Sequence, residues 1–183
     1  MRKGYGVGLK EIARQSNAPI GSMYHFFPGG KDELAAEALR TAGTAYQHLV
    51  EAVFDNADSF IEGIQAVFEG AAEVLAATDY ADACPIETVA LEVCSTNEPL
   101  RLVTAEIFQA WIEAATERGQ QAGLSKRDAR RIAFATVSAL EGAFVLSRAM
   151  KSPEPLLAAG AAMVTAARAA PVRSPRSSTR AAR

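Results

Sequence analysis

Residues 9–31 read L-K-E-I-A-R-Q-S-N-A-P-I-G-S-M-Y-H-F-F-P-G-G-K, a run that contains two helix-length segments and clear turn signals. The first segment, over 9–16, predicts a helix because its apolar side chains share one face. Asn17 ends that helix, since asparagine tolerates the left-handed conformation of a tight turn. A proline opens a second helix over 19–26, and the Pro-Gly-Gly sequence at 28–30 ends it. Two short helices joined by a tight turn are therefore expected here.

The proportions of this pair are those of a helix-turn-helix, whose second helix enters the major groove of DNA. Gly21 and Ser22 lie near the start of the second helix, where small residues let the backbone approach a base edge or a phosphate. Tyr24 and His25 can reach phosphates on either side, and Lys31 can add a further phosphate contact. Three other side chains are expected to hold the two helices together as a small core: Met23, Phe26 and Phe27.

The remaining sequence predicts helices throughout, because Ala, Leu, Glu, Gln and Arg are abundant and alternating runs of β-branched residues are missing. The expected helices cover 31–55, 59–77, 86–95, 98–122, 125–150 and 153–170. The fold class that follows is all-α. Its expected parts are a helix-turn-helix head over 1–40, a larger body over 41–170 for ligand binding and dimerisation, and a disordered basic tail over 171–183.

Charge is unevenly distributed along the chain. The formal net charge is −2, but residues 1–31 carry +4 and residues 171–183 carry another +4, which leaves −10 for residues 32–170. A basic end on an acidic body is typical of a polyanion-binding head on a separate body. A solvated surface with no such role produces the same charges about as often, so charge alone does not decide the function.

Catalytic, metal-binding and membrane functions find little support in the sequence. Cys84 and Cys94 form neither a C-x-x-C motif nor a cluster with metal-ligand spacing, and each is expected to be a small buried hydrophobe. His25 and His48 lack the surroundings of an activated nucleophile. The longest charge-free apolar stretch, over 155–167, is shorter than the roughly 18 residues that suggest a membrane span. We therefore expect a cytoplasmic protein that is not an enzyme, needs no cofactor or metal, and has no membrane partner.

The two helices predicted last are apolar nearly all round. The helix over 125–150 has two apolar stripes, which must both be covered. We expect these helices to form a four-helix bundle with those of a second copy across a two-fold axis. Burial inside one subunit is the alternative. The residues expected in the dimer interface are Ala135, Ser138, Ala139, Gly142, Ala143, Leu146, Ala159 and Met163.

The body carries more aromatic surface than a bundle of Ala and Leu needs. As a set, these residues predict a pocket for a small apolar or aromatic effector. For any one of them, ordinary core packing is the alternative and the more common outcome. The expected pocket residues are Phe60, Phe68, Tyr80, Cys84, Glu87, Phe108, Trp111 and Phe144.

A family resemblance rests on residues 4–34, G-Y-G-V-G-L-K-E-I-A-R-Q-S-N-A-P-I-G-S-M-Y-H-F-F-P-G-G-K-D-E-L. They resemble the DNA-binding signature of the TetR family of bacterial repressors. F-P-G-G-K-D-E-L at 27–34 and A-C-P-I-E at 83–87 are similar to its LmrA-like branch. The resemblance implies a homodimer that represses transcription by binding a double-stranded DNA operator, until a small molecule in the body releases the DNA. The expected DNA-binding residues are Lys10, Ile20, Gly21, Ser22, Tyr24, His25 and Lys31.

The sequence departs from the family pattern at three places. Gly8 replaces the threonine or serine that often caps the first helix of the pair and touches phosphate. Ile20 stands where a lysine is common, which lowers backbone affinity or shifts the readout towards a thymine methyl group. Family members also place a helix of several turns before the K-G-Y segment at 3–5, and Met1 falls at that helix's end, so the head is expected to be incomplete.

The missing helix leaves two interpretations. Either the true start lies upstream of Met1, or the chain is a ligand-binding or partner-binding dimer that has lost DNA binding. We favour the first, because residues 2–31 keep a full set of turn, core and contact residues.

Overall fold

A computed structural model describes residues 4–82 and 84–171, and the regular structure in those ranges is all helical. The described helices are α1 (Leu9–Gln15), α2 (Ile20–Phe26), α3 (Lys31–Asp55), α4 (Phe60–Ala77), α5 (Pro85–Val93), α6 (Glu98–Gln121), α7 (Lys126–Met150) and α8 (Glu154–Arg168). The all-α prediction is confirmed, and the predicted helix ends differ from these by only one or two residues. The predicted tail lies, apart from residue 171, outside the described residues.

The predicted turn and cap chemistry accounts for most helix ends. Asn17 has a φ of 52° and separates α1 from α2. Ser59 Oγ accepts a hydrogen bond from the Glu62 backbone N–H at 3.2 Å, which caps α4. Ser125 Oγ accepts one from the Asp128 N–H at 3.1 Å, which caps α7. Each of these bonds satisfies a backbone donor that the first helical turn leaves unpaired.

The small core of the head holds fewer side chains than the sequence predicts. Met23 is buried between α1 and α2, as expected, and Phe27 is half-buried. Phe26 is 69% exposed, and its ring lies edge-to-face with the His25 ring at a centroid distance of 5.1 Å. The prediction that Phe26 is a core residue is therefore wrong. Two seven-residue helices offer too little surface to cover three large side chains.

The body contains two hydrophobic cores that meet at Phe144. One core lies between α4, α7 and α8 around Phe68, and the other lies between α3, α5 and α6 around Leu39 and Ile86. Helices α4 and α8 approach closely at Gly160, where a Cβ would lie 2.7 Å from the Cβ of Phe68. The long helix α3 packs on α4, α5 and α6, so it joins the head to both cores.

Of the two apolar stripes of α7, one is buried and the other is exposed. The inner stripe, which includes Ile132 and Ala133, is buried against neighbouring helices. The outer stripe is exposed, and we call it the outer face of α7. Its members are Phe134, Ala135, Ser138, Gly142, Val145 and Leu146. Two residues predicted for the dimer interface, Ala143 and Met163, belong instead to the core of the subunit, where each is at most 7% exposed.

By length and composition α7 is also the one described helix that could cross a membrane. An 18-residue window in it has a mean hydropathy of 1.4, and 28% of that window is buried inside the subunit. Glu141 interrupts the apolar sequence of α7, so the longest charge-free apolar stretch of the chain lies in α8 and not in this helix. The packing of α7 accounts for the same composition, because one face of the helix packs on α6 and α8 and the other face is a bare apolar surface.

Candidate functional site

The surface of α2 is open for contact with a partner. Ile20 and Tyr24 are 40% and 57% exposed, and Gly21 and His25 are also exposed. No atom lies within 4 Å of the position that a Cβ on Gly21 would take, so another molecule can approach the backbone there. Ser22 is half-buried. Four of the residues predicted to bind DNA thus form one exposed surface on α2.

Lys10 and Lys31 flank this surface in different states. Lys10 is exposed on α1. Lys31 is half-buried, and its Nζ lies 4.1 Å from the centroid of the Tyr5 ring. A cation held over an aromatic ring is stabilised by the electrons of that ring. Lys31 is therefore positioned by Tyr5, a residue that the sequence analysis did not select.

Tyr5 also connects the head to the body. Its hydroxyl donates a hydrogen bond to Asp32 Oδ1, and the Asn97 side chain donates another to Asp32 Oδ2 at 3.0 Å. The bond from Tyr5 is the main cause that lowers the pKa of Asp32, with the bond from Asn97 second. Asn97 caps α6 by accepting from the Leu100 N–H. The start of α3 is thereby fixed to the start of α6.

Helix α5 contacts the same part of the head with its last turn. The Gly6 backbone N–H donates a hydrogen bond to Glu92 Oε2 at 2.9 Å. At Gly4 a Cβ would lie 1.8 Å from Glu92 Oε1, so only glycine fits there without movement. At its other end, α5 begins directly after Cys84, which lines a cavity in the body. The nine residues of α5 therefore extend from this cavity to the head.

This cavity has a volume of about 300 Å³ and lies between α3, α4, α6 and α7. Its walls are almost entirely apolar. Four of the predicted pocket residues line it: Phe60, Cys84, Trp111 and Phe144. The volume is at the lower end of the range of small-molecule sites, which are typically mostly apolar with a few polar groups.

The other predicted pocket residues lie elsewhere. Phe68 is only 1% exposed, in the core behind the cavity wall, and Tyr80 packs against the same core. Phe108 packs against the second core, edge-on to the Trp111 ring at 5.6 Å. Glu87 is half-buried on α5 and does not line the cavity. These side chains support the walls.

The sequence analysis missed the main polar group of the cavity, which is Glu141 on α7. Its Oε2 is buried and has no hydrogen-bond partner. Burial is the main cause that raises the pKa of Glu141 to about 7, and the negative charge of Glu87 adds to the rise. A hydrogen bond with the Cys84 thiol has the opposite effect. A signal was present in the sequence, because Glu141 is the one charged residue between Ile132 and Ser147.

The two cysteines differ in their surroundings. Cys84 is buried, as predicted, and burial raises the pKa of its thiol, with the nearby Glu141 adding to the rise. The thiol therefore stays protonated and acts as a hydrogen-bond donor. Cys94 is exposed, so the prediction that it is buried is wrong. It follows the last residue of α5, and its Sγ lies 3.7 Å from Thr104 Oγ1.

The raised pKa of Glu141 predicts a pH-dependent stability. An unfolded glutamate has a pKa near 4.3, so the unfolded chain loses this proton first as pH rises. The stability from the protonated carboxyl is full below about pH 4 and is lost as pH rises through about 7. Between pH 5 and pH 8, we expect the free energy of unfolding of the unchanged chain to fall by roughly 2 to 3 kcal/mol relative to Glu141→Gln.

Urea denaturation of the two proteins at both pH values and equal concentration measures this difference. Glu73→Gln, which removes an exposed carboxyl from α4, serves as the control and should follow the unchanged chain at both pH values. A constant difference between Glu141→Gln and the unchanged chain would contradict the predicted titration.

The end of the cavity near Arg118 is occupied by internal contacts. Arg118 Nη1 lies 2.6 Å from Asp55 Oδ1, and its guanidinium carbon lies 5.9 Å from the centroid of the Phe54 ring. These contacts fix the last turn of α3 to α6. Nearer the head, the Trp111 indole N–H donates to the Gly43 carbonyl at 3.0 Å, which fixes the middle of α3 to the same helix.

No group of three or more His, Cys, Asp or Glu side chains within the described ranges is arranged to hold a metal ion. The polar residues of the cavity wall are few, and the Cys84 thiol among them is kept in its neutral form by burial. They are Gln47, Glu51, Asp82, Cys84, Arg118, Thr136 and Glu141. Such a cavity can bind a small molecule.

Comparison with known proteins gives consistent matches over most of the chain. A family model described as the C-terminal domain of LmrA/YxaF-like transcriptional regulators matches residues 61–162. The chain is 33% identical over 153 residues to the HTH-type transcriptional regulator YxaF of Bacillus subtilis, covering 84% of this chain and 80% of that protein. It is 31% identical to the HTH-type transcriptional regulator LmrA of the same organism, covering 84% of this chain and 81% of that protein.

Solved structures match the fold at lower identity. The regulatory protein TetR from Rhodobacter sphaeroides aligns with a TM-score of 0.80 and 22% identity, covering 90% of each chain. A TetR transcriptional regulator from Legionella pneumophila aligns with a TM-score of 0.78 and 19% identity, covering 89% of this chain and 88% of that one. Both alignments extend over the head as well as the body.

Proposed function

This chain belongs to the TetR family of transcriptional regulators, in the branch of LmrA and YxaF, and from that premise we propose that it is a repressor released from its operator by a small apolar molecule. One observation carries the proposal. Helix α3 begins five residues after the exposed helix α2 ends, and its later turns line the cavity through Tyr46, Val50 and Phe54. A single helix therefore joins the candidate DNA-binding surface to the candidate ligand-binding site.

The proposed complex is a homodimer. TetR-family regulators form dimers, and the outer face of α7 is an apolar surface that the described helices of the body leave bare. Leu157 on α8, 46% exposed, extends this surface. Pairing α7 and α8 with those of a second copy gives a four-helix bundle and covers the surface. The two α2 helices would then enter successive major grooves, about 34 Å apart.

The proposed release works through a change in that spacing. A ligand that binds one conformation of the body more tightly shifts the population towards it. Trp111 and Arg118 both line the cavity and both hold α3 through their contacts with Gly43 and Asp55. A ligand between these groups is therefore expected to tilt α3 and move the two heads apart, which separates the α2 helices from their half-sites.

Operator binding is tested by fluorescence anisotropy of duplex DNA from the gene's own upstream region. The chain is titrated at two salt concentrations, in parallel with a form that includes in-frame upstream codons. A repressor that neutralises several phosphates loses affinity steeply with salt. If neither form shows salt-sensitive binding to any upstream or divergent promoter, the proposal fails and a ligand-binding or partner-binding dimer is the better reading.

A variant at Lys10 tests the proposed surface directly. Lys10→Ala is expected to weaken binding to all DNA sequences alike and to reduce the slope of log affinity against log salt by about 1, because one phosphate contact is lost. Lys126→Ala removes the same charge from the exposed start of α7, outside the head, and should leave the slope unchanged. Equal slopes for Lys10→Ala and Lys126→Ala would remove Lys10 from the DNA-binding surface.

A further inference from the structure

The cavity holds two buried polar atoms that have no hydrogen-bond partner among the residues that the structure describes. They are Oε2 of Glu141 and Oγ1 of Thr136, and both residues belong to the cavity wall on α7. A buried polar atom without a partner costs on the order of 1–3 kcal/mol, and a buried carboxylate costs more. A ligand that brings a hydrogen-bond donor to Glu141 would remove this cost on binding.

The charges around Glu141 favour a positively charged donor. Glu141 interacts with Glu87 on α5, with Cys84 before α5 and with Tyr46 on α3. Asp82 lies in the same cavity wall and also acts on Tyr46. Asp82 and Glu87 are carboxylic acids, and the Cys84 thiol is held in its neutral form. Arg148, further along α7, acts on Glu87.

The only arginine in the cavity wall lies away from this group. Arg118 is paired with Asp55 at the other end. The end of the cavity around Glu141 thus holds carboxyl groups and no arginine. Apart from Arg118, Gln47 and Glu51, the rest of the wall is mostly apolar.

Aromatic side chains supply the remaining contacts. Phe60, Trp111 and Phe144 line the cavity, and the Tyr46 ring lies 6.5 Å from that of Trp111. Aromatic faces attract both the flat surface of a ligand ring and a cation near it. A cavity of about 300 Å³ accommodates a molecule of a few rings.

We propose that the effector is an aromatic amine, bound with its protonated nitrogen against the Glu141 carboxylate and its rings against the aromatic wall. This inference rests on the proposed function, in that it assigns a chemical class to the effector. It makes Glu141 the residue that selects the ligand by charge, while Thr136 offers a further unsatisfied hydroxyl in the same wall. The ammonium of the ligand replaces the missing hydrogen-bond donor and neutralises the charge that the apolar cavity disfavours.

A set of naphthalene compounds of similar shape tests the assignment. The probes are 1-naphthylmethylamine, which is a cation, 1-naphthylmethanol, which is neutral, and 1-naphthoate, which is an anion. Binding to the full chain without DNA is measured by isothermal titration calorimetry. We expect the amine to bind at least about 10-fold more tightly than the alcohol, since a charged hydrogen bond is about twice as strong as a neutral one, and the naphthoate to bind least well. Equal affinity for amine and alcohol would overturn the proposal.

Two further measurements test whether the preference for the amine depends on Glu141. Glu141→Gln keeps the shape of the side chain and is expected to lose the preference for the amine, while Glu73→Gln on the surface should keep it. The amine should bind the unchanged chain about 10-fold more tightly at pH 8 than at pH 6, because the ionised fraction of a group with a pKa of about 7 rises that much. The alcohol should show no such rise. An amine preference that survives Glu141→Gln would contradict the assignment.

The inference and the proposed function fail in different ways. If the chain binds its operator and neither the amine preference nor its pH dependence appears, the assignment of the effector class is wrong and the repressor proposal stands. If the amine binds through Glu141 and leaves operator affinity unchanged at saturation, the ligand site stands and the proposed release is wrong. The operator titration and the calorimetry are therefore carried out on the same preparation.

Discussion

Leu146→Glu is expected to give a monomer whose operator affinity is about 100-fold lower than that of the unchanged chain. Leu146 is 54% exposed on the outer face of α7, among residues that no other described helix covers. In a two-fold dimer each substitution appears twice, so two unpaired carboxylates would enter the interface, at a cost of several kcal/mol each. A monomer binds one half-site, and the loss of the second half-site removes a factor of about 10² or more in affinity.

Sedimentation velocity and operator anisotropy measure the two effects on the same samples. The matched control is Leu102→Glu, which places the same charge at a leucine on α6 that is 47% exposed but lies outside the outer face. It should remain dimeric and bind as before. A dimeric Leu146→Glu with unchanged affinity would show that the outer face of α7 is not the interface.

Phe68→Ala is expected to lower the free energy of unfolding by about 3–5 kcal/mol, the range for removing a large aromatic side chain from a core. Phe68 is 1% exposed, and its Cβ would lie 2.7 Å from a Cβ at Gly160, so α4 and α8 are in direct contact there. The close contact limits how far the helices can collapse to fill the space. Since a domain is stable by about 5–15 kcal/mol, this one change removes a large part of its stability.

Urea denaturation at neutral pH and fixed protein concentration measures the loss. Phe68→Leu retains most of the buried volume and is expected to lose less than half as much. Val74→Ala, at a residue of the same helix that is 63% exposed, should change the stability little. A small loss for Phe68→Ala would mean that the contact between α4 and α8 does not hold the body together.

Much of this fold could be predicted because its helix ends carry local signals. Ser59, Ser125 and Asn17 act through bonds or backbone angles within a few residues of themselves, and short-range effects of this kind are readable from sequence. The two apolar stripes of α7 were also readable from helical periodicity, but the packing of α6 and α8 decides which of them is exposed. The predicted domain boundaries at residues 40 and 41 stay a prediction.

The composition of the cavity could be predicted only in part. Phe68 and Phe108 are aromatic like Trp111, and only the packing of distant helices decides which ring faces the open space. Phe26 shows the same limit, because its exposure depends on how much surface α1 and α2 offer each other. Glu141 could have been predicted as a pocket residue, since an acid within a long apolar segment is a common sign of a functional group.

Helix α5 has a mechanical consequence. Its nine residues span about 14 Å. A helix this short does not bend, so we expect it to move as one rigid unit between Cys84 and Glu92. A ligand that displaces the Cys84 thiol would be expected to displace Glu92 as well, and Gly6 with it through their hydrogen bond, independently of any tilt of α3. Ligands that fill only the aromatic part of the cavity would be expected to displace α3 alone. Ligands that also reach its acidic end would be expected to displace both α3 and α5. Potency as an inducer should therefore follow the reach of a ligand more closely than its affinity.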